Sequence, residues 1–257
     1  MLKILNSIGF RTLVKHEIKR TFAIINQVVW PPLISTLLYL LIFGYSLGSR
    51  IQSIEGVPYL SFLLPGPIMM SVIDSSFNEG AASLFVARFT NNVQELLVAP
   101  LSYTEMVLGY VAGGVLRGLI IGNLIMLLGF FVAGVFPVHF FLYLLFMLLV
   151  SAFFAAMGLA AGLMAENFDQ LAIPATFVIT PLIFLGGVFN SVRQLPPVLK
   201  GIVAFNPITH FIDGFRGCML PGWPAPLMFD LGLAAIFAVG AIAFALLLFQ
   251  SGYKLKG

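Results

Sequence analysis

Charge is what this chain has least of. Thirteen Lys and Arg and ten Asp and Glu make up 9% of its 257 residues, against roughly 25% in a soluble domain. Together with a mean hydropathy of +1.05, this excludes a water-soluble fold. Cysteine is nearly absent: Cys218 stands alone, which excludes an intrachain disulfide and a thiolate metal cluster. The three histidines, His16, His139 and His210, fall in separate segments, too dispersed for one metal site or a catalytic triad. No lysine follows a glycine, so no GxxxxGK[ST] loop can cradle nucleotide phosphates. Long polar stretches are missing as well, leaving no room for a soluble catalytic domain. The net charge of +3 is too small to indicate nucleic-acid binding.

What is present is continuous apolar sequence, as in Val28 to Leu47 and Leu231 to Phe249. A transmembrane strand would alternate apolar and polar residues over about ten positions. The spans are therefore helices, and at roughly 20 residues each the length holds about six or seven. Lys3, Arg11, Lys15, Lys19 and Arg20 precede the first span, and Lys254 and Lys256 follow the last. By the positive-inside rule both termini are expected in the cytoplasm, which requires an even number of spans. The first apolar stretch begins after Arg20 and has span length, so it reads as a retained helix rather than a cleaved signal. The expected layout is an all-α integral membrane protein. A cytoplasmic amphipathic helix covers 1–25, with spans over 28–48, 66–86, 105–134, 139–165, 173–189 and 227–249. A cytoplasmic connection covers 88–104 and an extracytoplasmic region covers 190–226.

Within 1–25, Phe10, Val14, Ile18 and Phe22 form an apolar row beside a basic row of Arg11, Lys15 and Lys19. That is the pattern of a helix lying on a membrane surface, serving either as a topology signal or for docking. Pro31 and Pro32 are expected in the first turn of span one, where a missing N–H does no harm. Span two carries Asp74, Asn78 and Glu79. An ionisable group at membrane depth costs at least about 2.5 kcal/mol, so these face protein or water. Arg117, inside span three, is expected either to pair with Asp74 or Glu79 or to snorkel toward one face. Gly109, Gly113, Gly114, Gly118 and Gly122 of span three face Ala152, Ala156, Gly158, Ala160 and Gly162 of span four in this reading. Small residues at such spacing let backbones approach, which predicts tight packing between these two spans. Pro174 and Pro181 make span five the bending element.

Two polar segments are the most informative. Between spans two and three, Asn92 with Glu95 makes a capping-box pattern, Val93 to Ala99 supplies about two turns, and Pro100 stops the helix. Ser102 with Glu105 then launches span three. The short helix leaves Val93, Leu96, Leu97 and Val98 without an intramembrane partner, so they rest on the bilayer or dock on protein. Between spans five and six, Asn206 is an N-cap with Pro207 at the first helical position. Ile208, Phe211, Ile212, Phe215 and Met219 occupy one face, and His210, Asp213 and Arg216 the other. This predicts an amphipathic helix dipping into the outer leaflet, preceded by a shorter one around Val198 to Ala204. Gly44-Tyr45-Ser46-Leu47-Gly48 satisfies GxSxG, but a nucleophile elbow needs a strand-to-helix turn and this pentapeptide ends a membrane helix.

The basic N-terminal helix, Gln94-Glu95-Leu96-Leu97-Val98-Ala99-Pro100-Leu101-Ser102, Gly186-Gly187-Val188-Phe189 followed by Leu195-Pro196-Pro197, and Asn206-Pro207-Ile208-Thr209-His210-Phe211-Ile212-Asp213-Gly214-Phe215-Arg216 together resemble the permease subunits of ABC-2 type (type V) exporters. The resemblance covers the whole chain and is similar in layout to the small bacterial permeases related to the Nod-factor exporter. It implies a bacterial inner-membrane protein in which two six-helix permeases pair largely through spans one and five. Two separate ATP-binding subunits would hold ATP and Mg, so this chain would have no cofactor and no catalysis of its own. The 88–104 region would be the coupling helix, with Asn92, Val93, Glu95, Leu96 and Leu97 meeting the ATPase. Asp74, Asn78, Glu79 and Arg117 become the intramembrane polar groups of a translocation path. Asn206, Pro207, His210, Asp213 and Arg216 would belong to re-entrant outer elements that cap it. Family cargoes include polysaccharides, glycolipids and drugs; with 26 Phe against 7 Tyr and 2 Trp, this chain is poor in sugar-stacking rings and points to a lipid-like, amphipathic cargo. The alternative is an ion-coupled secondary transporter using Asp74, Glu79 and Arg117 as a relay. Such folds often carry an internal repeat, and none is visible between the halves.

Overall fold

The computed structural model describes residues 7–46, 48, 50–51, 53–90 and 98–252. Among these, six helical stretches are long and apolar enough to cross a membrane: Ile25–Tyr45, Tyr59–Phe89, Tyr103–Ala133, Phe140–Met164, Phe168–Leu185 and Leu227–Gln250. The helices in chain order are α1 (Ser7–Ala23), α2 (Ile25–Tyr39, continued by π-helical turns over Leu40–Tyr45), α3 (Tyr59–Leu63), α4 (Pro65–Phe89), α5 (Tyr103–Ala133) and α6 (Phe140–Met164). They continue as α7 (Phe168–Ile173, extended by π-helical turns over Pro174–Ile179), α8 (Thr180–Leu185), α9 (Pro197–Ala204), α10 (Pro207–Met219) and α11 (Leu227–Gln250).

A hairpin of β1 (Ser53–Ile54) and β2 (Val57–Pro58) joins spans one and two. Pairing Ile54 with Val57 leaves Glu55 and Gly56 as a two-residue turn with φ of 52° and 82°, the two positive values a type I′ turn requires. A side chain in that conformation costs about 1–2 kcal/mol. The bonds made by the Glu55 carboxylate, described below, offset it.

Glycines decide which spans touch. A Cβ on Gly80 would strike the Ala155 carbonyl, and one on Gly158 or Gly162 would strike the carbonyls of Phe77 or Ala81. Spans two and four thus lie backbone against backbone, an approach only small residues permit. The expected packing of spans three and four is present, but each also packs against span two. Gly114 and Gly118 of span three meet Ser76 of span two as well as Ala155 and Ser151 of span four, while Gly109 and Gly113 receive Leu13 and Glu17 of α1. A helix with glycine on several faces accepts a neighbour on each, and the pattern does not say which one arrives.

Several helix limits also differ from expectation. Span one starts at Ile25, so Pro31 and Pro32 lie inside α2 rather than in its first turn. Span two starts before residue 66, because α3 runs into α4 through Leu64 and Pro65 and Pro67 fall in the first turn of α4. Span five starts at Phe168, where Asn167 Oδ1 accepts the Gln170 N–H at 2.8 Å, and its helix ends at Leu185. Its π-helical turns begin at Pro174, and Thr180 Oγ1 donates to the Ala175 carbonyl at 2.9 Å. Spans one and five are the least covered, with 17% and 11% of their apolar segments buried against 72% in span two.

Candidate functional site

Four charged side chains from three helices meet where α1 crosses spans two and three. Glu79, only 2% exposed, receives Arg20 Nη2 of α1 at 2.6 Å on one oxygen and Arg117 Nη1 of span three on the other. Thr21 Oγ1 donates to the first oxygen at 3.2 Å. Glu17, 1% exposed, accepts Ser83 Oγ at 2.7 Å and pairs with Arg20 Nη2 at 3.1 Å. Arg20 therefore bridges two buried carboxylates. Each charge sits where an unpaired one would cost several kcal/mol, and the network supplies the pairing.

The partner of Arg117 is Glu79, not Asp74. Glu79 lies on the side of α4 that carries Ser76 and Ser83 toward span three and α1, whereas Asp74 and Asn78, one turn apart, point the other way. Asp74 is half-buried and Asn78 exposed, and neither has a hydrogen-bond or ion-pair partner among the described residues. The predicted set of four polar groups is thus two sets. Nor does α1 bury its Phe10 row: Leu13, Glu17 and Thr21 are its buried side chains, and Phe22 is exposed. Sequence reasoning missed Glu17 and Arg20, although Glu17 is the first acid in the chain and stands alone in a basic head.

The connection between spans two and three is anchored on both sides. Arg88 Nη1 donates to the carbonyls of Gly162, Leu163 and Ala165 at 3.1, 2.7 and 3.2 Å, placing a cation where the end of span four leaves carbonyls free. On the far side, Ser102 N–H donates to Glu105 Oε2 at 2.8 Å and Glu105 N–H returns to Ser102 Oγ at 3.3 Å, a capping box. Asn92, Val93, Glu95, Leu96 and Leu97 lie outside the described residues.

A second cluster occupies the opposite end. Arg216 of α10 was expected on a polar outer face, but it is 2% exposed. Its Nη2 donates to the carbonyls of Gly187 and Val188 at 2.7 and 3.1 Å, and the guanidinium stands 4.0 Å from the Phe62 ring centre. Those loop carbonyls leave span five without helical partners, which is why a cation is drawn into the core. Burial pulls the Arg216 guanidinium down to about 10, with Asp213 and Glu55 opposing the shift, so it stays charged at neutral pH. Arg193 is the hub beside it, reaching Glu55 at 2.7 Å, Asp213 at 3.1 Å and the Pro224 carbonyl at 2.7 Å. Ser191 Oγ donates to Glu55 at 3.0 Å, and Trp223 Nε1 donates to Asp213 at 2.8 Å.

Asn206 caps α10 and also braces it. Its Oδ1 accepts Ile208 N–H at 3.0 Å, and its Nδ2 donates to the Leu182 carbonyl of span five at 2.7 Å, with Pro207 following at the first helical position. His210 Nδ1 lies 3.0 Å from Asp230 Oδ1 of span six. The hairpin, the end of span five, α10 and the start of span six are therefore one bonded unit around a cavity of about 390 Å³ lined by Lys200, His210 and Asp213. The sequence indicated Asn206, His210, Asp213 and Arg216 but not Glu55, Arg193, Trp223 or Asp230, which come from other segments. Among the described residues no three metal-ligating side chains converge.

Residues 9–220, from α1 to the end of α10, match the family model described as ABC-2 type transporter. The chain is 39% identical over 250 residues to the inner membrane transport permease YadH of Escherichia coli (strain K12), covering 97% of each protein. It is 30% identical over 207 residues to nodulation protein J of Rhizobium leguminosarum bv. viciae, covering 79% of this chain and 78% of that one. With six membrane-crossing helices and similarity along nearly its whole length to an inner-membrane permease, the chain belongs to the ABC-2 type transporter family and is a multi-pass inner-membrane permease subunit of an ABC transporter.

Proposed function

We propose that this permease is one half of the membrane part of an ATP-driven exporter. Two copies pair through spans one and five, and two separate ATP-binding subunits hold ATP and Mg. The cargo is lipid-like and amphipathic, and both termini are cytoplasmic. The observation that carries this reading is the cluster of Glu17, Arg20, Glu79 and Arg117. It fastens α1 to the two spans that flank the 88–104 connection, so a displacement delivered to either element moves both. Buried ion pairs stabilise little compared with apolar packing; what this one supplies is a fixed geometry.

Asn92, Val93, Glu95, Leu96 and Leu97 form the ATPase contact in this reading, with α1 as the second. Thin coverage of spans one and five supports them as the face for a second copy. Trp30, Ile34, Leu38, Leu41 and Tyr45 recur as exposed residues along span one. Span two touches both of these spans, and its open face with Asp74 and Asn78 becomes the wall of the path. The Arg193 and Arg216 cluster closes the outer end. An ion-coupled relay would need Asp74, Glu79 and Arg117 together, whereas Glu79 and Arg117 are engaged with each other and Asp74 stands apart.

The test is purification of the tagged chain from its native membrane in mild detergent, as wild type and as Leu96→Asp, with mass spectrometry of bound proteins. A stoichiometric ATP-binding subunit is expected with wild type and its loss with Leu96→Asp, at unchanged gel-filtration behaviour. Full retention by Leu96→Asp removes the coupling assignment. A wild-type chain that emerges alone removes the ATP drive.

A further inference from the structure

We propose that Asp74 is a cation-recognition site and that the cargo is an amphiphile carrying a positively charged group, most simply a primary amine. This rests on the reading that the open face of span two lines the path. Asp74 is the central residue of the Tyr59–Phe89 span, about 22 Å of helix from either end at 1.5 Å per residue. An ionisable side chain at that depth is costly, and such groups pair with a partner or mark a substrate pathway.

The described residues offer no such partner. Glu79 and Arg117 pair with each other, Arg88 is held by the carbonyls that end span four, Glu105 by its capping box, and Asp230 by His210. Apart from Asp169 in the first turn of span five, Asp74 is the one carboxylate or arginine of the described spans that has no partner. A second copy does not remedy this. It would bring another Asp74, while the arginines of its spans, Arg88 and Arg117, are already engaged. Among the described residues nothing supplies the compensating cation, which leaves it to come from the cargo.

The neighbours of Asp74 specify its chemistry. Ser71 and Asn78 lie at i−3 and i+4, which places both beside Asp74 on one helix face at about 5–6 Å between Cβ atoms. Neither is fully buried and neither has a bonding partner among the described residues. A hydroxyl oxygen, a carboxylate and an amide oxygen in one row offer three acceptors, one negatively charged, which suits an ammonium with its three donors. Hard divalent cations want six or more oxygen ligands in a closed shell, and one helix face does not provide them. The apolar surroundings of span two suit the hydrocarbon part of the same molecule.

The experiment uses the complex purified from its native membrane and placed in lipid nanodiscs. The probe is dansylcadaverine, an amphipathic primary amine, compared with a dansyl alkyl carboxylate of matched length and with empty nanodiscs. Wild type is expected to bind the amine at least tenfold more tightly than the carboxylate. Asp74→Asn should abolish that preference and Asp74→Glu should keep it within a few fold. Equal binding of the two probes to wild type, or an amine preference unchanged in Asp74→Asn, overturns the inference. In parallel, Asn78→Cys is tested with a membrane-impermeant thiol reagent. Reactivity there without charge preference leaves the path standing and removes only the cationic cargo. An unreactive Asn78→Cys removes the path itself, and the inference with it. Should Asp74→Asn fail to fold, the wild-type contrast and Asp74→Glu still decide.

Discussion

Breaking the Glu79 cluster tests the tie between α1 and the spans. Arg117→Met removes one of three donors on Glu79 and leaves Arg20 at 2.6 Å and Thr21 at 3.2 Å, so the carboxylate keeps its charge compensation and the expected cost is about 1–3 kcal/mol. Glu79→Gln strands one cation and weakens the hold on another. Arg117, whose side chain is 17% exposed and whose Nε already has no partner, loses its carboxylate, and Arg20 is left with Glu17 alone. The expected cost is about 3–5 kcal/mol, the range for an uncompensated buried charge. In the double variant the stranded Arg117 is gone, so the sum falls short of additivity by about 2–3 kcal/mol. Asp74→Asn combined with Arg117→Met should be additive within about 0.5 kcal/mol, because the two do not share a partner. Equilibrium unfolding in mixed micelles supplies the cycle, and limited trypsin cleavage at Arg11, Lys15 and Lys19 reports release of α1. Additivity between Glu79 and Arg117, coupling between Asp74 and Arg117, or unchanged cleavage in Glu79→Gln would refute the reasoning.

Two further outcomes follow from packing. Gly158→Leu places a side chain where the Phe77 carbonyl lies and should destabilise by about 3 kcal/mol or more. Gly240→Leu meets open space and should stay within about 0.5 kcal/mol, both read from melting temperature in detergent. Cys218 is fully buried and burial pushes its thiol up to about 12. A maleimide at pH 7 should therefore label it only after denaturation, as counted by intact-mass spectrometry, and labelling of the native protein would mean that α10 is not packed as described.

The six spans, their helical nature and the family were legible because each depends on local quantities: run length, continuous apolarity, and start and stop residues such as Asn206-Pro207 and Ser102 with Glu105. Arg117 could be recognised as a charge that must either pair with an acid or snorkel to one face, since a lone charge in a membrane is costly wherever it sits. Which acid answers it depends on which face of span two turns toward span three, and that was decided by Gly80, Gly158 and Gly162 bringing spans two and four into backbone contact. The same holds for α1, whose apolar row is legible in the sequence while the opposite side, where Glu17 meets Ser83 and Arg20 reaches Glu79, is not. Arg216 shows the limit most plainly. Helical periodicity placed it on the polar face, and the free carbonyls at Gly187 and Val188, distant in sequence, drew it into the core. Local patterns specify each helix and the charges it must satisfy; the partner of each charge is a property of the assembled bundle, because pairing depends on distances that only packing creates.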